Sequence, residues 1–253
     1  MKISIITVCY NSEKTIRDTL ESVKNQNSSQ IEHLIIDGQS TDSTLSIVDE
    51  YKHKKIVISE SDKGIYDAMN KGIKLAQGEV IGFLNSDDFY ANNKVISKLE
   101  SIFCDNPTLD ACYADLIYTD KIDTSRTTRY WKSSKFTVGS FSKGWSPPHP
   151  TFFVRKSVFK RFGSFDLNFG VASDVDLMIR FLEVNRIKVI YVPEIWVKMR
   201  RGGISNSNLK NILKQNQNIL RALESYGLPA NIFSFYAHKI FLRSKQFFQR
   251  PIR

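Results

Sequence analysis

Within its first ninety residues this chain alternates four unbroken apolar runs with three amphipathic segments, and no other feature restricts the fold as strongly. The runs are ISIITVCY, HLIIDG, KIVISE and EVIGFL. Each is short, rich in Ile and Val, and apolar at consecutive positions, which is the pattern of a strand covered on both faces. Between them the periodicity is helical. Ile16, Leu20 and Val23 share one face after a cap at Asn11 or Ser12, and Leu45, Ile47 and Val48 follow a start at Ser40 or Thr41. Ile65, Met69, Ile73 and Ala76 recur between Gly64 and a stop at Gly78. A βαβαβαβ order predicts an α/β fold with a mostly parallel, Rossmann-like central sheet flanked by helices.

The rhythm changes after Asp88. The sequence predicts a helix from Asn92 to Cys104, strands at ACYADLIYTD and TTRYW, and a long irregular stretch, SFSKGWSPPHPTFFVRKS. A short helix from Val154 to Arg161 and an amphipathic helix in ASDVDLMIRFLEVN follow. KVIYVPEIWVKMR reads as a last strand that Pro193 bends or confines to an edge. A cationic loop, RRGGIS, leads into a helical tail split near Gly227 to Pro229. The expected division is a domain over 1–205, in two halves at 1–90 and 91–205, and a basic helical extension over 206–253.

With 253 residues and 42% hydrophobic content the chain has enough material for one large core. No run approaches the ~18 consecutive apolar residues of a membrane span. MKISIITVCY lacks a charged leader and a small-residue cleavage site, so it reads as a first strand and the expected location is cytoplasmic. Cys9, Cys104 and Cys112 show no metal spacing and suit a reducing compartment. The net charge of +10 calls for an anionic partner. Most of that excess is in the tail, where residues 209–253 carry eight Lys or Arg against one acid, Glu224. There Phe233, Phe235, Tyr236, Ile240, Phe241, Phe247 and Phe248 interleave with Lys239, Arg243, Lys245 and Arg250. Such a segment attaches to an anionic membrane surface, at the inner face of the cell membrane, packs its aromatics on the core, or forms a dimer contact.

Chemistry collects at the strand ends, where open α/β sheets bind ligands. Asp87 and Asp88 close the run EVIGFL beside Asn85 and Ser86, and such a pair can seat Mg²⁺ or Mn²⁺ together with phosphate oxygens. Its structural alternative is a solvated loop that caps the next helix. Asp37 ends the second strand and can accept from a base or ribose, or simply close a turn. Thr7, Cys9, Tyr10 and Asn11 at the first strand's end would form the crevice floor. Asp174 and Asp176 occupy a helix's first turn, where the dipole favours acids, and one of them can face the crevice as a general base. His149 is a candidate third metal ligand or phosphate contact. Lys63 with Gly64, Arg200 and Arg201 are candidate phosphate contacts. Neither GxGxxG nor GxxxxGK[ST] is present, which argues against dinucleotide and P-loop binding.

Taken in order, SIITVCYN, IIDGQSTDST, DKGIYDAMNKGIKLAQGE, FLNSDD, HPTFFVRKSVF, GSFD and SDVDLMIR resemble the inverting glycosyltransferases of family 2, which have the GT-A fold. The resemblance spans about residues 2 to 205. Its nearest look-alikes build bacterial capsule, O-antigen or colanic-acid-like polysaccharides. It implies a nucleotide-sugar donor, foremost a UDP-sugar, and a glycan or lipid-linked acceptor, with nucleic acid excluded as a partner. It also implies that Thr7 to Asn11, Asp37, Lys63, Gly64 and Ser86 hold the nucleotide. The family's DxD motif falls on Asn85-Ser86-Asp87, so Asp87, with Asp88 and His149, would hold Mn²⁺ or Mg²⁺. The family's ED pair falls on Ser173-Asp174, which makes Asp174 the base. The chain departs from the pattern at Asn85, Gln39, Met69 and Ser173.

Three other classes fit less well. A nucleotidyltransferase acting on sugar phosphates would need a glycine-rich basic loop after the first strand. A nucleic-acid binder would spread its charge over a face, and here the crevice candidates are acids. A glycoside hydrolase would need two facing carboxyls at a set separation.

Overall fold

The computed structural model of the chain describes residues 1–202 and 209–249. The four apolar runs form β1 (Ile3–Cys9), β2 (Ile31–Asp37), β3 (Lys55–Ser59) and β4 (Val80–Phe83), all parallel, in the order β3-β2-β1-β4. The segments between them form α1 (Ile16–Lys24), α2 (Thr44–Glu50) and α3 (Ile65–Leu75). Both helices start later than the cap residues predict, α1 by three or four residues and α2 by two or three. The polar side chains there hold backbone groups in loops instead, as short polar residues do in competition with helix. Asn11 Oδ1 accepts the Thr41 N–H at 2.9 Å, and Asp42 Oδ1 accepts the Thr44 N–H at 2.9 Å.

Past Asp88 the sheet becomes mixed. The remaining elements are β5 (Phe89–Tyr90), α4 (Val95–Asp105), β6 (Ala111–Thr119), β7 (Thr127–Trp131), β8 (Phe153–Arg155), α5 (Lys156–Phe162), α6 (Ser173–Met178, running on as a wider π turn through Val184), β9 (Val189–Arg200), α7 (Leu209–Ser225) and α8 (Ile232–Phe248). The full order is β3-β2-β1-β4-β8-β6-β9-β5, with β7 paired to β6. β8 is antiparallel to both β4 and β6, while β9 runs parallel to β6. The expected parallel character therefore holds for the first four strands and for β6–β9, and β8 bridges the two groups. Val154, expected in a helix, lies in β8, and the helix starts at Lys156. Pro193 sits where the β6–β9 register shifts, so β9 bends there, in the interior of the sheet between β6 and β5.

Alternate strand residues feed two apolar layers. Ile6 and Phe83 pack with α3, Phe159 and Phe181 on one face. Ile5 and Val80 pack with Leu99, Phe103 and Trp196 on the other. At Gly82 the Phe153 ring lies so close that a Cβ would come within 2.2 Å of it, so β8 can approach β4 only over a glycine.

The tail packs back on the domain. α7 lies on α6 and on the 3₁₀ segment Leu167–Ala172, and α8 lies across β7 and the turn Phe141–Lys143. Gly144 (φ +72°) lets α8 close in, because a Cβ there would meet Lys239 Cβ and the Phe235 carbonyl at 2.9 Å. Phe235 is fully buried, which contributes about 2–3 kcal/mol relative to an exposed ring. The expected boundary at 205/206, residues 203–205 of the RRGGIS loop, and Arg250 lie outside the described residues. Among the described residues no helix is long and apolar enough to cross a membrane.

Candidate active site

The carboxyl ends of β1 and β4, the start of α6 and the inner face of α8 enclose one cavity of about 1110 Å³. Cys9, Tyr10, Asn11, Gly64, Asn85, Ser86, Asp87, His149 and Asp174 all line it. The chain segments that sequence reasoning singled out thus converge, although Asp87 and Asp174 come from opposite halves of the domain.

The loop after β4 presents Asp87. Leu84 N–H bonds the Ile6 carbonyl at 3.0 Å, and Asp88 N–H closes a turn on the Asn85 carbonyl at 3.0 Å. Asp87 is half-buried, and burial holds its carboxyl above the ordinary carboxylate range, with Arg200 pulling the other way. Ser86 Oγ shares a hydrogen bond with Ser12 Oγ at 2.8 Å, which ties this loop to the end of β1. The buried Oδ1 of Asn85 has no hydrogen-bond partner.

α6 presents Asp174, whose Oδ1 accepts the Val175 N–H at 2.8 Å. Ser173, where the resemblance places a glutamate, instead pins the turn beneath by donating to the Asp166 and Gly170 carbonyls at 2.7 and 2.8 Å. Asp176 points away and is an anchor: it accepts from the Tyr226 hydroxyl at 2.9 Å and pairs with Arg180 at 3.4 Å. Tyr66 faces Asp174 from α3, and burial followed by the Asp174 charge pushes its hydroxyl well above the usual range. His149 lies against Phe83 and Phe165, with ring centroids at 5.5 and 5.7 Å. Burial lowers its proton affinity, the Asp174 charge opposes this, and neither ring nitrogen has a partner.

Of the residues that the sequence assigned to the site, Thr7, Asp37, Lys63, Asp88, Asp176, Arg200 and Arg201 do not line the cavity. Asp37 is fully buried and saturated: it accepts from Ser40 N–H at 3.0 Å, the Ser40 and Ser59 hydroxyls, and the Cys9 thiol at 3.5 Å, so it braces the β1–β2 loops. Thr7 is buried with its hydroxyl on His33 Nε2 at 3.0 Å. Lys63 is exposed and contributes only its N–H to Asp67, at 3.0 Å. Asp88 lies beneath the loop, where burial and then the Asp87 charge push it well above the carboxylate range. Cys9 lines the wall with its thiol raised by burial and by Asp37, the opposite of what a nucleophile needs. Arg200 is buried and ion-paired with Asp18, and its guanidinium lies 5.4 Å from the Phe89 ring.

Among the described residues no three His, Cys, Asp or Glu side chains gather as a metal-binding group. Asp87, Asp88 and His149 therefore do not form the expected ligand trio: Asp88 is sealed off, and His149 sits by Asp174. What the cavity does offer is the Asp87 carboxylate and the unpartnered Asn85 Oδ1. That set fits a hard divalent cation that takes its remaining oxygens from phosphate and water.

The sequence reading missed Asp62. It follows β3 and lines the cavity, accepts the Gly64 N–H at 2.8 Å, and lies so close to Gly38 that a Cβ there would come within 2.6 Å of its Oδ2. The same strand-end rule that exposed Asp37 and Asp87 applies to it, because KIVISE ends two residues before. Lys239, Arg243 and Arg129 were also missed as cavity residues.

Comparison with known proteins bears on this geometry. Residues 4–163 match the family model described as glycosyl transferase family 2. The chain is 27% identical over 218 residues to a PGL/p-HBAD biosynthesis glycosyltransferase of Mycobacterium bovis BCG, covering 84% of this chain and 82% of that protein. It is 25% identical over 243 residues to the UDP-Glc:alpha-D-GlcNAc-diphosphoundecaprenol beta-1,3-glucosyltransferase WfaP of Escherichia coli, covering 90% and 88%. Among solved structures, residues 1–349 of S. aureus TarS in complex with UDP-GlcNAc superpose with a TM-score of 0.72 at 22% identity, covering 97% of this chain and 71% of that one. The mannosyltransferase PcManGT of Pyrobaculum calidifontis, in complex with GDP-Man and Mn²⁺, gives 0.67 at 16% identity, covering 95% and 69%. The fold is thus of the GT-A type, and with the family model matched over more than half its length the chain belongs to glycosyl transferase family 2 and is a glycosyltransferase.

Proposed function

We propose that this enzyme moves a sugar, with inversion, from a nucleotide-diphosphate sugar to a hydroxyl of a glycan or lipid-linked acceptor in surface-polysaccharide synthesis. The observation that carries the reading is that Asp87 and Asp174 line one cavity. Tyr10, exposed at the β1 end, offers a ring on which a nucleobase can stack, and Asp62 offers a carboxylate to base N–H groups. Asp87, with Asn85 Oδ1, would hold Mn²⁺ or Mg²⁺ under the diphosphate. A cation bound there would neutralise charge on the departing diphosphate.

Asp174 then acts as general base. The acceptor hydroxyl gives its proton to an Asp174 carboxylate oxygen, and the freed oxygen pair attacks the anomeric carbon. The bond from that carbon to the diphosphate oxygen breaks, and its electron pair leaves with the nucleoside diphosphate. Attack from the face opposite the leaving group inverts the centre. Tyr66, beside Asp174 and held protonated, can donate to the carboxylate and fix its orientation.

α8 supports a peripheral position on the inner face of the cell membrane. Its outward side carries Phe233, Ile240, Phe241 and Phe248, all exposed, with Lys245 beside Phe241 at 4.6 Å. An exposed apolar stripe with basic flanks is what an anionic lipid interface binds. The WfaP relative, which is named for a diphosphoundecaprenol acceptor, gives the same direction.

Thermal-shift screening of nucleoside diphosphates and their sugars, with and without Mn²⁺, tests the reading, since a ligand bound only to the native state raises the melting temperature. A UDP- or GDP-sugar should raise it in a Mn²⁺-dependent way. No shift with any nucleotide would end the proposal.

A further inference from the structure

The same cavity is also lined by cations that the reaction above does not use. β7 contributes Arg129, and α8 contributes Lys239 and Arg243; all three line the same cavity as Asp174. Arg129 is fixed rather than free. Its Nε donates to Gln246 Oε1 at 2.6 Å, and its guanidinium lies 4.5 Å from the Tyr118 ring and 5.5 Å from that of Phe247. Lys239 is half-buried, with its ammonium 5.2 Å from the Phe235 ring.

Among the described residues no carboxylate lies within 4.0 Å of Arg129 or Lys239. Burial lowers the proton affinity of Arg129, and the charges of Arg243 and Arg201 lower it further. Burial pushes Lys239 down to about 8, with Arg243 acting in the same direction and Asp174 against it. Partly desolvated like charges cost stability unless something pairs them. A wall that accumulates them around a cavity is built for an anion.

Which anion follows from position. The charge of Arg200 reaches Asp87, and the charge of Asp174 reaches Lys239. The cationic wall therefore stands next to the base, where the acceptor must lie. The helix that supplies it turns its other side outward as the apolar stripe of Phe233, Ile240, Phe241 and Phe248. An acceptor that joins a diphosphate to a hydrocarbon chain would meet both faces of this one helix.

Resting on the glycosyltransferase reading above, we propose that Lys239, Arg129 and Arg243 bind the diphosphate of a lipid-diphosphate-linked acceptor, so that α8 is part of the acceptor site. These are binding residues and take no proton from the acceptor hydroxyl.

Calorimetry on the full chain saturated with UDP and Mn²⁺ tests this, with farnesyl diphosphate, farnesol and inorganic pyrophosphate as probes. Farnesyl diphosphate should bind the UDP-loaded enzyme. Lys239→Met, which keeps the apolar stem, should weaken that binding about tenfold or more, and Lys239→Arg should restore most of it. UDP affinity should be equal in all three proteins, and farnesol should bind at least tenfold more weakly than its diphosphate. Unchanged binding in Lys239→Met, or competition between farnesyl diphosphate and UDP, overturns the acceptor site. Pyrophosphate binding as tightly as farnesyl diphosphate overturns the lipid part and leaves a free-diphosphate site. If UDP itself fails to bind the wild type, it is the donor reading that falls, not the acceptor inference alone.

Discussion

Asp87, at the end of β4, and Asp174, in the first turn of α6, line a single cavity although 86 residues and four strands lie between them in the chain. β8 makes this possible. By pairing antiparallel with both β4 and β6 it joins the first four strands and the later ones into one sheet, and α6, which follows the β8–α5 unit, reaches the same cavity.

If Asp174 takes the acceptor proton, Asp174→Asn keeps the size and hydrogen bonding of the side chain and removes only its basicity. Sugar transfer should fall by about 10²–10⁴-fold, the usual contribution of a positioned general base. Nucleotide binding should be nearly unchanged. A product assay run beside nucleotide titration checks both halves, and near wild-type turnover would refute the assignment.

Tyr10 and Asp62 should set nucleoside affinity. Tyr10→Ala removes a stacking surface worth about 1–3 kcal/mol per base, so nucleotide affinity should drop by about 5- to 150-fold. Asp62→Asn should alter the preference among UDP, GDP and CDP, because an amide changes the acceptor pattern offered to the base. Fluorescence titration with each nucleotide reads this out, and equal losses for all three would point to loop damage instead.

The unfavourable burial of Lys239 gives a stability signature with a definite sign. Its folded-state pKa, about 8, lies below the usual lysine value of about 10.5. The folded protein therefore bears the full cost of the charge below pH 8, and that cost fades as pH rises from 8 towards 10.5, where the unfolded chain binds more protons than the folded one. Asp174 on α6 and Arg243 on the same helix are the charges that act on it, and Arg129 on β7 lines the same cavity. Lys239→Met should melt higher than wild type at pH 7, with the gap narrowing by pH 9.5. A gap that widened with pH would contradict the geometry around this ammonium.

The outer face of α8 should drive lipid binding. Phe241→Asp combined with Phe248→Asp places acids in the exposed stripe and touches neither the cavity lining nor Phe235. Co-sedimentation with vesicles rich in phosphatidylglycerol should fall several-fold while thermal stability holds. Equal sedimentation of variant and wild type removes the membrane role.

The first four strands were legible because both faces are covered, so their apolar runs are continuous and need no partner information. The strand at Phe153–Arg155 was not. VRKSVF carries helical periodicity, and only pairing with β4 and β6, more than forty residues away in sequence, turns its first part into sheet. The strand-end rule found Asp87 and the loop at Tyr10 and Asn11, and it also picked Asp37. Asp37 is a strand-end acid of the same kind, but Ser40, Ser59 and Cys9 consume its oxygens, and those contacts are set by tertiary packing. Lys239 and Arg243 were read as part of a basic tail because their helix carries apolar residues on more than one side. Which side turns inward is decided by Gly144, where a missing Cβ lets the helix settle over the cavity.

The most direct test is calorimetry of UDP and GDP, with and without Mn²⁺, on wild type, Asp87→Ala and Asp174→Asn. Wild type and Asp174→Asn should bind the preferred nucleotide more tightly with Mn²⁺, and Asp87→Ala should lose that Mn²⁺-dependent gain while keeping the metal-free affinity. A Mn²⁺ gain that survives in Asp87→Ala, or one that disappears in Asp174→Asn, would contradict the division of the cavity into a phosphate side at β4 and a base at α6.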